Sequence, residues 1–261
     1  MAIIMLAVTR KSRIKEIVSE KKSVVVSELA VMFSVTEETI RRDLKSLEDE
    51  GFLTRTYGGA FIQDGVQNEI DLSVRETVCT ESKQLIAEKC AEIVHNGDSI
   101  FLDASTTALF IAKKICDMRI TVVTNSLKIT NLLADYPNIH LITIGGLFAQ
   151  NNMSFIGRGA LQSLDGYYVD KTFMSCRSIS MEYGITDSNE SMSEIRRKLL
   201  SRSNKVYVVA DYSKFDKTSF LNICDFNGIC GIITDKHLNR NWLDFLSEHS
   251  VVYYECGSKQ Q

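Results

Sequence analysis

Proline is almost missing from this chain. Pro137 is the only one in 261 residues, and no Ser- or Gly-rich spacer occurs. A boundary between domains therefore cannot be read from linker composition and has to come from a change in residue periodicity. Long apolar runs are lacking as well: none reaches the roughly eighteen residues a membrane-spanning helix needs, so no membrane partner is expected. The opening stretch MAIIMLAVTRKSR has a short apolar run ahead of its basic residues, the reverse of the order in a secretory signal, and a cytoplasmic location is expected. Cysteine pairing has no support either. Cys79, Cys90, Cys116, Cys176, Cys224, Cys230 and Cys256 are odd in number, form no C-x-x-C pair and lie scattered through apolar stretches, as reduced buried thiols do. His95, His140, His237 and His249 fall at no metal-ligand spacing, so neither a structural zinc nor a cofactor is expected.

An excess of basic charge is missing too. With 30 Lys and Arg against 33 Asp and Glu the formal net charge is −3, and bulk electrostatics alone would not suggest nucleic acid. The rest of the composition, 44% apolar and 24% charged, is that of a globular protein long enough for one large or two ordinary domains.

The chain changes character near residue 60. Before it the pattern is short helices and a hairpin; from Ser82 onward, apolar strand-like runs alternate with helical stretches. In RKSRIKEIVSEKK, Ile14, Ile17 and Val18 recur at helical spacing. In VVVSELAVMFSV, Ser27 is placed as the N-cap of a short second helix with Leu29, Ala30 and Phe33 inward. SVTEETIRRDLKSLEDEG is the best-specified element. Thr36 is its N-cap, Glu37 and Glu38 lie at the positive end of the helix dipole, Val35 can staple onto Ile40, and Gly51 stops the helix. Ile40, Leu44 and Leu47 face a core, so Arg41, Arg42 and Lys45 must project away from it. FLTRTYGGAFI then reads as two strands around a Gly58-Gly59 turn.

Helix, helix, turn, helix, hairpin is the order of a winged helix-turn-helix, whose last helix enters the major groove of double-stranded DNA. Residues 1–60 carry ten basic and nine acidic side chains, a net of only +1, so the inference rests on the segregation of cations onto one helical face. Three cations alone would better suit a solvated face, and it is their combination with the cap, the staple, the preceding short helix and the Gly-Gly hairpin that points to DNA.

After the helical stretch TESKQLIAEKCAEIVHNGD, with Leu85, Ile86, Cys90 and Ile93 read as inward, come SIFLDASTT, ITVVTNS, IHLITIGG, KTFMSC, KVYVVADYSK, CGIITD and VVYYEC. Helical segments separate the first five. This alternation predicts a Rossmann-like, mostly parallel α/β domain, with ligands held outside the carboxyl ends of its strands. Polar residues gather there: Asp103 with Ser105, Thr106 and Thr107; Thr124, Asn125 and Ser126; Gly145 and Gly146; Ser175; Asp211 and Lys214. Hydroxyls at strand-to-helix turns suit a phosphate, and Lys214 adds a charge. Each turn taken singly is as well explained by helix capping.

SELAVMFSVTEETIRRDLKSLEDEGFLTRTYGGA resembles the N-terminal domain of the DeoR family of bacterial transcriptional regulators, through its TIRRDL helix and Gly-Gly wing. The resemblance continues through Arg75 and Lys83, the Asp103/Thr106-Thr107 loop, Thr124-Asn125, Gly145-Gly146, Gly157, Asp170, Gly184 and the run Ala210–Phe215. It implies a repressor of a carbohydrate-catabolism operon, released by a phosphorylated sugar sensed in a sugar-phosphate-isomerase-like domain. It implies DNA contacts from Thr36, Thr39, Arg41, Arg42, Lys45, Arg55, Tyr57, Gly58 and Gly59, and an effector pocket containing the residues gathered above. The implied organisation is a DNA-binding domain over 1–62 (helix-turn-helix about 24–43, wing about 52–62), a linker over 63–80 and a sensing and oligomerising domain over 81–258. A homo-oligomer, dimer or tetramer, is expected because half-sites are read in pairs.

Departures from the family pattern bear on the pocket. Ser105 replaces the glycine of D-x-G-T-T, and Ser175 and Ser178 replace two later glycines, with Arg177 between them as a candidate anion contact. A Cβ at these positions narrows the space open to a ligand. Two other readings stay open: an isomerase-like enzyme using Asp103, Asp170, Glu194, Asp211 and Lys214, and a constitutive DNA-binding protein whose second domain only oligomerises.

Overall fold

The structure, a computed structural model, describes residues 7–56, 58–62 and 72–256. Two compact units, Met1–Val78 and Cys79–Gln261, make up the chain. The first runs α1 (Ala7–Lys21), β1 (Ser23–Val25), α2 (Val26–Phe33), α3 (Glu37–Asp49), β2 (Thr54–Arg55), β3 (Gly59–Phe61) and α4 (Leu72–Thr77). Its core is the set of side chains that helical spacing turns inward: Ile14, Ile17 and Val18 of α1, Leu29 and Ala30 of α2, and Ile40, Leu44 and Leu47 of α3.

Thr36 caps α3 by accepting from the Thr39 N–H at 3.3 Å. At the other end the Phe52 N–H reaches the Leu47 carbonyl at 3.0 Å and the Gly51 N–H the Glu48 carbonyl at 2.8 Å. That double closure demands a left-handed residue, and Gly51 supplies it with φ 72°. Two features differ from the sequence reading. Ser27 is not the cap of α2, which begins one residue earlier at Val26 with Val25 before it and no side-chain cap. The Val-rich run before it forms β1, which joins the hairpin in a three-stranded sheet ordered β1-β3-β2. Gly59 belongs to β3 and not to the turn. A Cβ there would lie 2.1 Å from the Val24 carbonyl oxygen, so only glycine lets β3 approach β1.

Within the stretch read as a linker, α4 packs Val74 against Phe61 of the same unit. Residues 63–71 lie outside the described residues.

The second unit runs α5 (Thr80–Ile93), β4 (Ser99–Leu102), α6 (Thr106–Ile115), β5 (Ile120–Thr124), α7 (Leu127–Leu133), β6 (Ile139–Thr143), β7 (Leu147–Ala149), β8 (Ser154–Ile156), α8 (Gly157–Asp165), β9 (Val169–Met174), β10 (Ser178–Ser180), β11 (Gly184–Asp187), α9 (Glu190–Leu200), β12 (Ser203–Val209), β13 (Leu221–Cys224), β14 (Gly231–Thr234), α10 (Arg240–Glu248) and β15 (Val252–Glu255). Seven of the strands, those anticipated from apolar runs, form one fully parallel sheet ordered β15-β14-β12-β9-β4-β5-β6. Its strand residues alternate between faces. Ile100, Leu102, Val122 and Val209 pack with α5, α6 and α7. Phe101 and Val123 pack with α8 and α9, and Val206 and Val208 with α10, on the other side. Not anticipated were the β7–β8 hairpin and an antiparallel sheet ordered β10-β11-β13. On α5 the inward face is Lys83, Ile86, Ala87 and Cys90, while Leu85 is exposed.

A buried ionic contact ties α1 to α3. Arg10 of α1 donates to Asp43 of α3 at 2.5 Å, with both residues buried. Asp43→Ala removes the carboxylate from a buried ion pair and leaves the buried Arg10 guanidinium without its counter-charge. It should destabilise this unit by about 3–5 kcal/mol, seen as an earlier thermal transition by circular dichroism in the full chain.

Candidate functional site

Each unit presents a polar arrangement that its own core does not require. In the first, α3 turns Ile40, Leu44 and Leu47 inward, which forces residues 41, 42 and 45 to the other side. Arg42 and Lys45 are exposed, and Arg41 is half-exposed. Arg41 is braced by Glu37 at 2.7 Å, one turn back, and Arg42 stands 3.8 Å from Glu38. The Arg42 side chain retains 79% of its accessible surface, so little holds it against the protein. Surface pairs of this kind contribute little stability and exchange readily for a phosphate or a base edge.

The remaining residues proposed to touch DNA have structural tasks that position this helix. Thr36 and Thr39 share a hydroxyl–hydroxyl hydrogen bond of 2.9 Å beside the cap. Arg55 donates its Nε to one Glu48 oxygen at 2.8 Å and its backbone N–H to the other at 2.9 Å, which fastens β2 to α3. Those hydrogen bonds from Arg55 hold the Glu48 carboxyl below its ordinary pKa. The Gly58 carbonyl accepts from the Val26 N–H at 2.9 Å, and Gly59 is buried in the sheet. Tyr57 lies outside the described residues. Glu48 and the Arg10–Asp43 pair were not singled out in the sequence, where they are ordinary members of a mixed-charge helix.

In the second unit the strand order reverses direction between β4, the first strand in sequence, and β9 beside it. In parallel sheets such a switch point opens a crevice at the carboxyl ends of the strands. Asp103, directly after β4, and Ser175, directly after β9, meet there: the Ser175 N–H donates to Asp103 Oδ2 at 3.1 Å. Arg196 of α9 donates to the same oxygen from Nε at 2.8 Å, its Nη2 lies 2.8 Å from that oxygen in the same ion pair, and it pairs with Asp187 through Nη1. Arg196 is 4% exposed and Asp103 is fully buried. Burial works to lower the Arg196 pKa, but Asp187 and Asp103 outweigh it and raise the value, keeping the charge in place.

One strand further, Asn125 follows β5 in register with Asp103, since Leu102 pairs with Thr124. Its Nδ2 donates to the Phe155 carbonyl at 3.1 Å and faces Met192 Sδ at 4.0 Å. Asp103 Oδ1 and Asn125 Oδ1 are both buried and accept no hydrogen bond. Each unmet acceptor costs on the order of 1–3 kcal/mol, which a ligand carrying donors would recover.

Several other residues of the predicted pocket are occupied as caps. Ser105 accepts from the Ala108 N–H at 3.0 Å and begins α6, and Ser126 accepts from the Ile129 N–H at 3.3 Å and begins α7. Thr124 donates to the Leu102 carbonyl at 2.7 Å and accepts from the Ser126 N–H at 3.1 Å. Thr106 and Thr107, in the first turn of α6, are buried at the end of the helix whose dipole favours an anion.

The flanks are further away. Gly145 and Gly146 follow β6, and a Cβ on Gly146 would lie 2.6 Å from the Ile156 carbonyl oxygen, so this glycine serves the return of the β7–β8 hairpin. Asp211 and Lys214 follow β12, one strand step from β9 and Ser175 but three from β5, roughly 14 Å from Asn125 at about 4.8 Å per step. The structure thus brings together Asp103, Ser105, Thr106, Thr107, Thr124, Asn125, Ser126 and Ser175, and sets the Asp211–Lys214 pair, 4.0 Å apart, to one side. Arg177 is half-buried at the start of the β10–β11 hairpin, its N–H on the Thr186 carbonyl at 3.0 Å.

Arg196, Asp187 and Met192 were missed by the sequence reading. The only signal was a helix of mixed charge, and which of its arginines turns inward depends on carboxylates distant in sequence. The carboxylates of the enzyme reading are dispersed. Asp170 accepts from Ser99 N–H and Oγ at 2.8 and 2.6 Å at the opposite, amino-terminal edge of the sheet, and Glu194 is exposed on α9. Among the described residues no three His, Cys, Asp or Glu side chains gather as a metal site, and no helix is long and apolar enough to cross a membrane.

Known proteins bear the same two parts. Residues 10–65 match the DeoR-like helix-turn-helix domain and residues 78–236 the DeoR C-terminal sensor domain. The HTH-type transcriptional regulator YulB of Bacillus subtilis is 41% identical over 247 residues, covering 95% of this chain and 96% of its own. The HTH-type transcriptional repressor GlcR of the same organism is 31% identical, covering 91% and 92%. The L-fucose operon activator of Haemophilus influenzae is 31% identical, covering 93% and 98%. The chain belongs to the DeoR family of transcriptional regulators, and these relatives are regulators, not enzymes.

The Asp211 carboxyl gives this unit a pH signature. Burial tends to raise its pKa, but Lys214 and the Ser213 hydroxyl outweigh that and hold it below the ordinary value. Its folded-state value thus lies under its unfolded one, so the stabilisation is present above about pH 4 and is lost as pH falls through the depressed value. Asp211→Asn should flatten the acid limb of stability, read from urea midpoints between about pH 5 and pH 2.5.

Proposed function

We propose that this protein is a cytoplasmic repressor of a carbohydrate-utilisation operon, and that a phosphorylated sugar bound at the sensor crevice lowers its affinity for operator DNA. Residues 1–62 form the DNA-binding domain, 63–80 the linker, and 81–258 the sensing and oligomerising domain. The observation that carries the DNA reading is the outward row of Arg41, Arg42 and Lys45 on a helix whose other face is sealed in the core. A helix held so firmly on one side can lay the other in a major groove, where arginine meets guanine edges and lysine meets phosphate.

Support for the effector comes from three features of the switch-point crevice. Thr106 and Thr107 sit at the positive end of α6, which suits a phosphate. The unmet oxygens of Asp103 and Asn125 suit hydroxyl groups. Lys214 stands on the flank as a further cation. The relative named as an L-fucose operon activator is consistent with a carbohydrate signal. Assembly as a dimer or tetramer follows from the pairing of half-sites.

With an operator selected from random-sequence DNA by the purified protein, Arg41→Ala and Arg42→Ala should each weaken specific binding by about 1–3 kcal/mol, and Lys45→Ala should reduce the salt dependence by about one unit of slope. Unchanged affinity in both arginine variants would remove α3 from the groove. A thermal-shift screen of phosphorylated sugars should raise the melting temperature of the sensor transition for at least one compound. Thr106→Ala and Lys214→Ala should keep operator affinity while losing the response to that compound. Loss of both together would indicate misfolding.

A further inference from the structure

Asp103 and Asn125 occupy matching register positions at the ends of neighbouring parallel strands, β4 and β5. They lie on the face of the sheet against which α9 packs. Two residues of α9 one turn apart engage them: Met192 touches Asn125, and Arg196 grips Asp103. The atoms that α9 and its surroundings use are Oδ2 of Asp103 and Nδ2 of Asn125. In each side chain this leaves Oδ1 buried and without a donor. The orientation of Asn125 follows from Nδ2 donating to the Phe155 carbonyl, which settles which terminal atom is the acceptor.

We infer that Asp103 and Asn125 form a paired acceptor that selects the effector by two hydroxyl groups on its carbon chain, with recognition of the phosphate assigned elsewhere, to the first turn of α6. This rests on the sugar-phosphate reading of the crevice and adds to it which end of the ligand lies where.

Among the groups of a sugar phosphate, the hydroxyls are the ones that suit this pair. An ionised carboxylate and an amide oxygen only accept hydrogen bonds, and a phosphate at neutral pH presents acceptors and negative charge. A phosphate or carboxylate placed there would face Asp103 without a donor between them. A hydroxyl supplies the missing donor and keeps its own lone pairs for the neighbours. Because Arg196 of α9 fixes the far oxygen of Asp103 and the Phe155 carbonyl of β8 fixes the amide nitrogen of Asn125, neither acceptor can rotate away to find another partner, so a ligand lacking one hydroxyl leaves a buried oxygen unmet. Sites built to hydrogen-bond a hydroxyl reject the deoxy analogue far more strongly than sites that merely accommodate one.

The test uses the full-length wild-type protein and calorimetric titration. Glucose 6-phosphate, fructose 6-phosphate and ribose 5-phosphate are compared, and the tightest of them is set against its single-deoxy analogues, with inorganic phosphate as the control. Two deoxy positions are expected to weaken binding by about tenfold or more each, and the remaining positions by less than about threefold. In Asn125→Ala the penalty at one of those two positions should collapse towards unity while inorganic phosphate binds as before, a readout that a general loss of structure would not give. Should that variant not fold, the wild-type series decides alone. Deoxy analogues that all bind within threefold of the parent, or a penalty confined to a single position, overturn the paired acceptor. If none of the sugar phosphates binds at all, the effector reading itself fails, a result separate from either.

Discussion

A guanidinium carried into the interior governs the sensor unit. Arg196 has almost no access to water and is neutralised on two sides, by Asp103 after β4 and by Asp187 at the end of β11. Each partner comes from a different layer of the fold: Asp103 from the large parallel sheet, Asp187 from the small antiparallel one, Arg196 from the helix between them and β12. Three charges so placed hold these layers in a single geometry, because a displacement that broke either contact would leave an ion buried and unpaired. The orientation of the crevice follows. Once Oδ2 of Asp103 is committed to Arg196 and to the Ser175 N–H, Oδ1 is left over, and the same helix treats Asn125 alike through Met192.

The first unit makes opposite uses of arginine. Arg10 is buried against Asp43 and fastens α1 to α3, and Arg55 clamps β2 to α3 through Glu48. Arg41 and Arg42, of the same chemistry, lie outward with only surface glutamates one turn away. Exposure decides between the two roles. A buried arginine is immobilised by its carboxylate, whereas an exposed one exchanges solvent or a nearby glutamate for a phosphate or a base at small cost. A net charge of −3 is compatible with a local concentration of cations on one side of one helix.

Legibility varied with the range of the determining interaction. The α3 helix could be read closely because its cap, staple, apolar spacing and terminating glycine all lie within eighteen consecutive residues. The inner parallel strands could be read because burial on both faces makes each a nearly continuous apolar run, and the edge strands β6 and β15 because they too are short apolar runs. The start of α2 was misplaced: Val24 and Val25 had a sheet partner in β3, and pairing across the hairpin overrode the local preference of Ser27 for a cap. On α5, Lys83 faces inward where Leu85 was anticipated, near enough to Asp211 to help hold that carboxyl ionised. The serines that replace expected glycines proved partly structural. Ser105 caps α6, and Ser178 pairs with Ser219 at 2.9 Å, which sequence spacing could not disclose.

The sequence by itself determined the buried face of α3, the order of the seven parallel strands along the chain, the division of character near residue 60 and the gathering of polar residues at strand ends, because those properties depend on neighbours within a few turns or a few strands' length of chain. Only the tertiary structure decided which of those polar groups are consumed as caps, which lie some three strands apart, and which two oxygens remain without donors. The physical reason is that a polar atom's fate depends on partners up to ninety-three positions away, as between Asp103 and Arg196, and such partners meet only when the sheet and α9 are packed.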